Sequence, residues 1–371
     1  TVVERLTRER IEEARAAALL TACGGSEQPA SSAAAPTASE APAAPAAQAQ
    51  QITGAGSTFV FPVLSRWSAE HNRLTGAQVN YQSIGSGGGI AQVKAGTVDF
   101  GASDKPLATA ELTESNLVQF PVVIGGVVPV VNLEGVQPGQ IKFTGALLAD
   151  IYLGTVTHWN DPRIAEINPE LSLPEAEIQV VYRSDGSGTT YNFSSFLNKV
   201  SPDWAAKVGE GTALSWPKGV GGRGNEGVAA FIQQLPNSIG YVELSYALQT
   251  GGVYGSVQNA AGQFVKPNAE SFQAAAASAD WANAQDFNLV ITNAPGEAAW
   301  PIAASVFVLM PKNAKPEARK GVLDFFGWVL DNGQPMATEL DYVPLPQPLA
   351  EQVKAYWKAQ FPASEAPANQ G

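Results

Sequence analysis

One short stretch of the chain, YRSDGSGTT at residues 182–190, combines an arginine, two glycines and three hydroxyl side chains at the start of a helix. An apolar run, IQVV, precedes it, and YNFSSFL, which has a helical pattern, follows it directly. Helix N-termini attract anions because their first N–H groups are unpaired and the helix dipole adds about half a positive charge. Arg183 offers a planar fork that suits two oxygens of a tetrahedral oxyanion. The stretch predicts an anion site, but the lysine of a nucleotide-binding P-loop is missing.

Two more turns combine glycines and hydroxyls in the same way. Thr58 and Phe59, in TGAGSTF, precede a segment with apolar residues at helical spacing, and Ser86 lies in GSGGG between a strand pattern and a short helix pattern. A further strand, TVDFGAS, ends at Asp104. Ligands of open α/β sheets bind beyond the carboxyl ends of strands, where such turns gather. These residues therefore predict one site built from separate parts of the chain.

Asp104 restricts which anion this site accepts. A carboxylate beside a bound anion is repulsive unless the anion supplies a proton, which hydrogen phosphate does and sulfate at neutral pH does not. Unpaired buried acceptors cost about 1–3 kcal/mol, and more when charged, and such sites reject the wrong analogue by roughly 10⁴–10⁵. A second interpretation stays open, in which Asp104 is only a turn residue before Pro106. Asp185 likewise either holds Arg183 in place or forms the turn before Gly186.

The elements that position these residues follow from the pattern of the chain between residues 52 and 361. Short apolar runs alternate there with helical patterns, which predicts an α/β fold with a largely parallel sheet. A length of 371 residues exceeds one ordinary core and predicts two domains. If the two groups of site residues belong to two lobes, the ligand lies in the cleft between them. The net charge of −12 argues against nucleic acid as a partner, but not against a small anion, because a site is local.

Catalytic interpretations are weaker. Ser187 lies between two glycines, but the G-x-S-x-G motif is not matched, and a base would have to be His71 or His158. His71 falls on or near the apolar face of a predicted helix, where a packing role is expected. One cysteine and two histidines cannot form a His-rich metal centre, so no enzyme activity, metal or cofactor is predicted. GVGGRG, residues 219–224, fits G-x-G-x-x-G formally, but without a clean preceding strand it is interpreted as a glycine-rich loop.

Eight segments, in this order, resemble the phosphate-binding protein of the bacterial ABC phosphate importer, and the similarity spans essentially all of residues 52–361. They are TGAGSTF, YQSIGSGGGIAQV, GTVDFGASDKPL, FPVVIGGVVPVVN, DIYLGTVTHWND, YRSDGSGTT, GNEGVAAFIQQLPNSIGYVE and LDYVPLP. The resemblance implies a two-lobed, hinged periplasmic-binding-protein (Venus flytrap) fold with a mixed, mostly parallel sheet in each lobe. It also implies that the lobes close on one hydrogen phosphate ion in the cleft and deliver it to the permease subunits of the importer.

The family's phosphate shell falls on residues that match its motifs. These are Thr58, Phe59, Ser86, Asp104, Arg183, Ser187, Gly188 and Thr189. Phe59 and Gly188 are expected to bind through their backbone N–H groups, and Asp185 is expected to support Arg183. The first motif often reads Gly-Ala-Thr-Phe in the family, and Ser57 replaces the alanine here, either as an added donor or as a small neutral replacement.

The resemblance also implies a division of the chain. Residues 52–124 and 304–361 are expected to form lobe I, residues 125–303 lobe II, and residues 362–371 a disordered tail. Cys23 lies in a sequence that resembles the lipobox of bacterial lipoproteins, after a leader at residues 1–22. Residues 23–51 are rich in Ser, Ala and Pro and read as a tether. The protein is therefore expected in the periplasm or on the outer face of the cell membrane, held there only by a lipid on Cys23, and as a monomer.

Two alternatives keep the same fold. One is a binding protein for another oxyanion, such as sulfate or molybdate, which a proton-accepting Asp104 disfavours. The other is a surface protein of the same fold. It is either a phosphate-sensing protein, or an adhesin or sensor that merely keeps the fold, which predicts a binding partner and no tight binding of an oxyanion. A titration with phosphate, arsenate and sulfate in turn discriminates between them.

Overall fold

The structure is a computed structural model that describes residues 50–362. The predicted leader, Cys23, most of the tether and the tail from residue 363 lie outside these described residues. The folded chain begins with a strand at Gln51 and its last helix ends at Gln360.

Strands and helices alternate along most of the described chain, as the sequence predicts. The strands are β1 (Gln51–Gly56), β2 (Gln78–Ser83), β3 (Phe100–Ser103), β4 (Leu117–Val131), β5 (Lys142–Phe143), β6 (Gln179–Arg183), β7 (Val220–Gly222), β8 (Ser238–Glu243), β9 (Val253–Tyr254), β10 (Ser256–Gln258), β11 (Phe264–Val265) and β12 (Ala303–Pro311). The helices are α1 (Phe61–Thr75), α2 (Ser86–Ala95), α3 (Thr109–Glu114), α4 (Gly145–Leu153), α5 (Pro162–Ala165), α6 (Gly188–Val200), α7 (Pro202–Lys207), α8 (Gly224–Gln234), α9 (Leu244–Thr250), α10 (Ala269–Ala277), α11 (Pro316–Asn332), α12 (Gln334–Thr338) and α13 (Gln347–Gln360). Two short 3₁₀ helices, Trp281–Asn283 and Gln285–Phe287, lie between α10 and β12.

The larger sheet has the strand order β2-β1-β3-β12-β4-β8-β6-β7, with β9 also paired to β4. The pairs towards its two ends, β1 with β2 and β3, and β6 with β7 and β8, are parallel. The pairs that involve β4 or β12 are antiparallel. A chain that crosses the sheet along β4 and returns along β12 runs in opposite directions on these two strands, which makes the sheet mixed. A smaller sheet has the order β11-β10-β5.

Strand β4 divides the larger sheet into two halves. Its residues from Leu117 to Gly126 pair with β12, and its residues from Val127 to Val131 pair with β8. We name β1, β2, β3, β12 and the first part of β4 the first half-sheet, and β6, β7, β8 and the last part of β4 the second half-sheet. Every residue of β4 is buried, as expected for a central strand with both faces covered.

The helix that follows β1 shows how local sequence sets an element. Pro62 lies in the first turn of α1, where a missing N–H removes no helix bond, and Gly76 ends the helix with φ at 77°, in the left-handed region. Val63, Leu64 and Trp67 between them are buried, whereas Leu74 in the last turn is exposed. His71 is 6% exposed, with its ring centroid 5.2 Å from those of Phe325 and Trp328. This burial and these ring contacts confirm the predicted packing role, and burial also lowers the pKa of His71.

One element differs from the sequence-based interpretation. GVGGRG was interpreted as a glycine-rich loop without a preceding strand, and this was wrong. Val220–Gly222 forms the edge strand β7, parallel to β6, and α8 begins at Gly224. A strand of three residues is too short to show an apolar alternation in the sequence. Among residues 50–362, none of the helices has the combination of length and apolar character that a membrane crossing demands.

Candidate functional site

Four strand-to-helix turns meet where the two half-sheets adjoin. They lead from β1 to α1, from β2 to α2, from β6 to α6 and from β7 to α8. The Gly87 N–H of α2 donates to the Gly186 carbonyl before α6, 2.9 Å away, and the Asn225 amide of α8 donates to the Thr58 hydroxyl before α1 at 2.7 Å. Each turn therefore contacts a turn from the other half-sheet. Four helix N-termini bring unpaired N–H groups and positive dipole ends to one place.

The turn before α1 is held from behind by three tyrosines. The hydroxyl of Tyr81 donates to the carbonyl of Ser57 at 2.8 Å. Tyr246 donates to the Thr58 carbonyl and Tyr342 to the Phe59 carbonyl, each at 2.6 Å. Since three successive carbonyls are fixed in this way, the backbone of residues 57–59 is held in one orientation. Phe59 itself is fully buried.

Arg183 and Asp185 form a buried bidentate pair. Arg183 Nε donates to Asp185 Oδ1 at 2.7 Å, and a terminal nitrogen donates to Oδ2 at 2.5 Å. The Gly224 N–H also donates to Asp185 Oδ1, at 3.0 Å. Burial alone would raise the pKa of Asp185, but the hydrogen bonds and charge of Arg183 outweigh it, so the pKa lies below its usual value. Of the two interpretations left open by the sequence, the structure supports Asp185 as the group that holds Arg183.

Asp104 lies at the end of β3 and is 2% exposed. The Ser57 hydroxyl donates to its Oδ1, and its backbone N–H donates to the Ser86 hydroxyl at 3.2 Å. Its carbonyl accepts from the Asn192 amide at 2.7 Å. Burial raises the pKa of Asp104 to about 7, although the Ser57 hydrogen bond, the Arg183 charge and Ser86 lower it. Asp104 is therefore buried among these turns as well as being a turn residue, and the Ser57 hydroxyl donates to its carboxylate.

Gly188, the first residue of α6, packs directly against this carboxylate. A Cβ at Gly188 would lie 2.4 Å from Ser86 Oγ and 2.5 Å from Asp104 Oδ2. Such distances leave no room for a side chain, so the α6 N-terminus reaches the carboxylate only because residue 188 is glycine. The backbone N–H groups of Gly188 and Thr189 are in the first turn of α6, where a helix offers them no acceptor.

The buried hydroxyls of the site accept hydrogen bonds from the protein. Ser187 Oγ accepts from the Thr190 N–H at 2.9 Å, which caps α6. Thr189 Oγ1 accepts from Arg183 at 3.3 Å and from the Asn225 amide at 3.1 Å. Ser86 Oγ accepts from the Asp104 N–H. Each of these hydroxyls therefore has at least one lone pair engaged by a protein donor, and Thr189 Oγ1 has both engaged.

The residues of the predicted anion site are brought together and, apart from the half-buried Asp185, are buried. Ser57, Thr58, Phe59, Ser86, Asp104, Arg183, Ser187 and Thr189 are each 0–4% exposed. The sequence reasoning missed the tyrosines that hold residues 57–59 and the amides of Asn192 and Asn225. Asn225 follows the strand-to-helix turn of GVGGRG, and recognising that turn would have indicated it. The tyrosines and Asn192 gave no local signal.

A second buried carboxylate adjoins the site. Glu243, at the end of β8, is fully buried, and its Oε2 accepts from the Ser245 N–H at 2.9 Å and from the Ser245 hydroxyl. Among the described residues its Oε1 has no hydrogen-bond partner. Burial raises the pKa of Glu243 to about 8, against the opposing hydrogen bonds of Ser245. At neutral pH this group is therefore largely protonated and adds little negative charge beside an anion.

The arrangement suits binding rather than bond-breaking chemistry. Ser187 is occupied as a helix cap, while His71 packs in the core and His158 is exposed on its loop. Within residues 50–362 no group of three or more His, Cys, Asp and Glu is arranged to hold a metal ion. The turns supply a buried set of N–H and O–H donors and the guanidinium of Arg183 with its partner Asp185, and the end of β3 adds the carboxylate of Asp104. Such a set binds a small oxyanion.

Comparison with known proteins defines the class. The sequence model of the PBP superfamily domain matches residues 41–332. A solved structure of a high-affinity periplasmic phosphate-binding protein with bound phosphate superposes with a TM-score of 0.66 and 22% sequence identity, covering 82% of this chain and 93% of that chain. At this identity the likeness shows the fold alone. Together with the family model, it confirms the predicted fold, the two-lobed α/β fold of periplasmic binding proteins.

Sequence relatives define the family. The protein named phosphate-binding protein PstS from Xylella fastidiosa, strain Temecula1, is 60% identical over 321 residues, which cover 86% of this chain and 88% of that protein. Its namesake from Haemophilus influenzae is 51% identical over 318 residues, covering 85% of this chain and 95% of that protein. The chain belongs to the PstS family of phosphate-binding proteins.

Proposed function

We propose that the protein binds one hydrogen phosphate ion outside the cytoplasm and delivers it to the permease subunits of an ABC importer. The observation that carries this proposal is the buried carboxylate of Asp104 among donor groups. The N–H groups, hydroxyls and Arg183 require an anion with several acceptor oxygens. Asp104 requires that one oxygen of the same anion carries a proton. Hydrogen phosphate meets both requirements, and the names of the relatives agree with it.

We assign the phosphate shell to the residues that the motifs indicate. Thr58, Ser86, Ser187 and Thr189 donate from their hydroxyls, and Phe59 and Gly188 from their backbone N–H groups. Arg183 supplies the positive charge, and Asp185 holds the guanidinium in place. Asp104 accepts a hydrogen bond from the O–H of hydrogen phosphate. Ser57 supports Asp104 from the opposite oxygen. The support for this assignment is the common burial of these groups and the contacts of Gly188 with Ser86 and Asp104.

The lobes that close on the ion correspond, in this proposal, to residues 52–124 with 304–361 and to residues 125–303. The pairing of β4 supports this division, because its partner changes from β12 to β8 between Gly126 and Val127. Strand β12 begins at Ala303, opposite Gly126, so both chain crossings lie at the same level of the sheet. A hinge at this level would open the contacts between the four helix N-termini.

The proposed location is the periplasm or the outer face of the cell membrane, with the protein acting as a monomer. A lipid on Cys23 would anchor it there through the tether at residues 23–51. Cys23 is outside the described residues, so its lipidation stays a prediction. Mass spectrometry of the protein purified from membranes of its own host tests it directly.

Titration of the protein by calorimetry tests the proposed function. Phosphate should bind more tightly than sulfate at pH 8, by at least the roughly tenfold that protonating Asp104 costs sulfate at that pH. Phosphate affinity should also change by less than about threefold between 0.05 and 0.5 M salt, because short hydrogen bonds to a buried ion are hardly screened. Displacement of phosphate by an equal concentration of sulfate, or a steep loss of affinity with salt, would contradict the proposal.

A Gly188→Ala variant tests whether the α6 N-terminus closes on the carboxylate. The added methyl group would meet Ser86 and Asp104 at less than 3 Å. Overpacking of this kind costs about 1–3 kcal/mol, which corresponds to about 5- to 150-fold weaker phosphate binding. Calorimetry measures the affinity, and thermal unfolding of the ligand-free variant should stay near that of the native protein, since open lobes remove the clash.

Gly327→Ala is the matched control for this substitution. Gly327 lies inside α11, and a Cβ there would have the Trp357 ring as its nearest neighbour, at 3.9 Å. This variant should bind phosphate as the native protein does and be up to about 1 kcal/mol more stable. Native affinity in Gly188→Ala would mean that α6 does not approach the bound ion.

A further inference from the structure

One amide side chain joins the turns of both half-sheets. Asn225, the second residue of α8, is fully buried. Its Oδ1 accepts from the backbone N–H of Glu243 at 2.8 Å. A backbone N–H can only donate, so the oxygen of the amide must face Glu243 and the nitrogen must face the other way. The orientation of the amide is therefore determined by its surroundings.

The amide nitrogen reaches the Thr58 hydroxyl. Nδ2 of Asn225 donates to Thr58 Oγ1 at 2.7 Å, and the backbone N–H of Asn225 donates to the same oxygen at 3.1 Å. A hydroxyl oxygen has two lone pairs and one hydrogen. Both lone pairs of Thr58 Oγ1 are thus used by Asn225, and only its hydrogen is left to meet a ligand.

The same amide nitrogen also donates to the hydroxyl of Thr189. Nδ2 of Asn225 donates to Thr189 Oγ1 at 3.1 Å, and Arg183 donates to it at 3.3 Å. Among the described residues, neither threonine hydroxyl donates to a protein acceptor. Thr189 Oγ1 can therefore also meet a ligand only as a donor.

We propose that Asn225 is a positioning residue that makes the hydroxyls of Thr58 and Thr189 obligatory donors and thereby sets the specificity of the site. This inference rests on the proposed function, because it concerns the ion that the two hydroxyls bind. A hydroxyl in water rotates and offers either a hydrogen or a lone pair. By donating to the hydroxyl oxygens of Thr58 and Thr189, one in each half of the site, Asn225 leaves these hydroxyls without a lone pair to offer to the ligand.

The consequence is a restriction on the protons of the ligand. An anion oxygen that faces Thr58 or Thr189 must be unprotonated, because an O–H there would meet another O–H with no lone pair to accept it. The proton of hydrogen phosphate is then directed towards Asp104. The chemical class selected is a tetrahedral oxyanion with one proton on one side and bare oxygens on the other.

Asn225→Ala tests the inference in two backgrounds. In the native background it should weaken phosphate binding about 10- to 100-fold, because the two hydroxyls regain their freedom to rotate. In a Thr58→Val/Thr189→Val background the same substitution should change the affinity less than about threefold, because the groups through which it acts are gone. Calorimetry at millimolar phosphate measures both factors. A residue that only stabilises the fold would give the same factor in both backgrounds, and that result would overturn the inference.

Asn225→Asp is a second variant that keeps the size of the side chain and an acceptor for the Glu243 N–H. Its ionised carboxylate cannot donate, so both threonine hydroxyls would turn their hydrogens towards it and present lone pairs to the ion. Binding should then be weaker than in Asn225→Ala, and native affinity in Asn225→Asp would also overturn the inference. If the native protein itself binds no phosphate, the proposed function fails; if it binds phosphate and the Asn225 variants bind it equally well, only this inference fails.

Discussion

The Arg183→Ala variant should bind phosphate about 10²- to 10⁴-fold more weakly than the native protein. Its guanidinium is the cation of the proposed shell, and its side chain is 1% exposed, so a bound anion would interact with it away from water. Each hydrogen bond to a charged group contributes about 1.5–3 kcal/mol. Two such bonds to one phosphate correspond to the stated loss. Calorimetry at pH 8 measures it, and unchanged affinity would mean that the site lies elsewhere.

A double variant separates the loss of the site from damage to the fold. Arg183→Ala leaves the carboxylate of Asp185, whose side chain is 12% exposed, without its partner, and breaking a buried ion pair costs about 3–5 kcal/mol of stability. Arg183→Ala/Asp185→Ala removes that uncompensated charge. Its unfolding temperature should recover towards the native value while phosphate binding stays weak. Recovery of binding together with stability would contradict a direct role for Arg183.

The parts of the site that the sequence predicts are those set by local chemistry. Glycines and hydroxyls after apolar runs indicate strand-to-helix turns, and the helices that begin at Phe61, Ser86 and Gly188 are found where the patterns place them. Arg183 and Asp185 are two residues apart, so their pairing needed no knowledge of the fold. The sequence still left a turn role for Asp185 open, and only the hydrogen bonds of the structure favour one role.

The parts that the sequence did not predict depend on distant contacts. Asn225 contacts Thr58 across 167 residues, and Tyr342 contacts Phe59 across 283 residues. No pattern of one segment encodes such a partner, because it follows from the order of strands in the sheet. The edge strand β7 adds a second reason. It gains its hydrogen bonds from β6 rather than from its own apolar residues, so its three residues looked like a loop.

Asp104→Asn should remove most of the discrimination between phosphate and sulfate. In the native protein, burial raises the pKa of Asp104 to about 7. Above pH 7 the carboxylate is ionised, so sulfate can bind only if Asp104 first takes up a proton. Sulfate affinity should therefore fall about tenfold for each pH unit above 7, and level off below it. Phosphate brings its own proton, so its affinity should change little between pH 7 and 9.

The asparagine variant replaces a group that must accept with one that donates. Its carbonyl oxygen can still accept from the Ser57 hydroxyl, as Oδ1 of Asp104 does, which directs the amide nitrogen to the side of Gly188. Sulfate should then bind at pH 8 about tenfold more tightly than it binds the native protein, because it no longer needs a protonated Asp104. The decline of sulfate affinity with pH should also disappear. Competition calorimetry at pH 6, 7, 8 and 9 measures both effects.

Stability supplies an independent check on Asp104. Its folded-state pKa lies above the ordinary 3.8, so its contribution to the free energy of unfolding is largest below pH 3.8 and falls as the pH rises towards 7. Ligand-free Asp104→Asn has no such loss and should unfold at a higher temperature than the native protein at pH 8. Asp203→Asn, with a 71% exposed side chain, makes the same chemical change on the surface and should leave selectivity unchanged, with only a small loss of stability from its exposed ion pair with Lys207. If Asp104→Asn still excludes sulfate at pH 8, selection does not depend on the proton of the ion, and the shape of the closed site must reject sulfate by another contact.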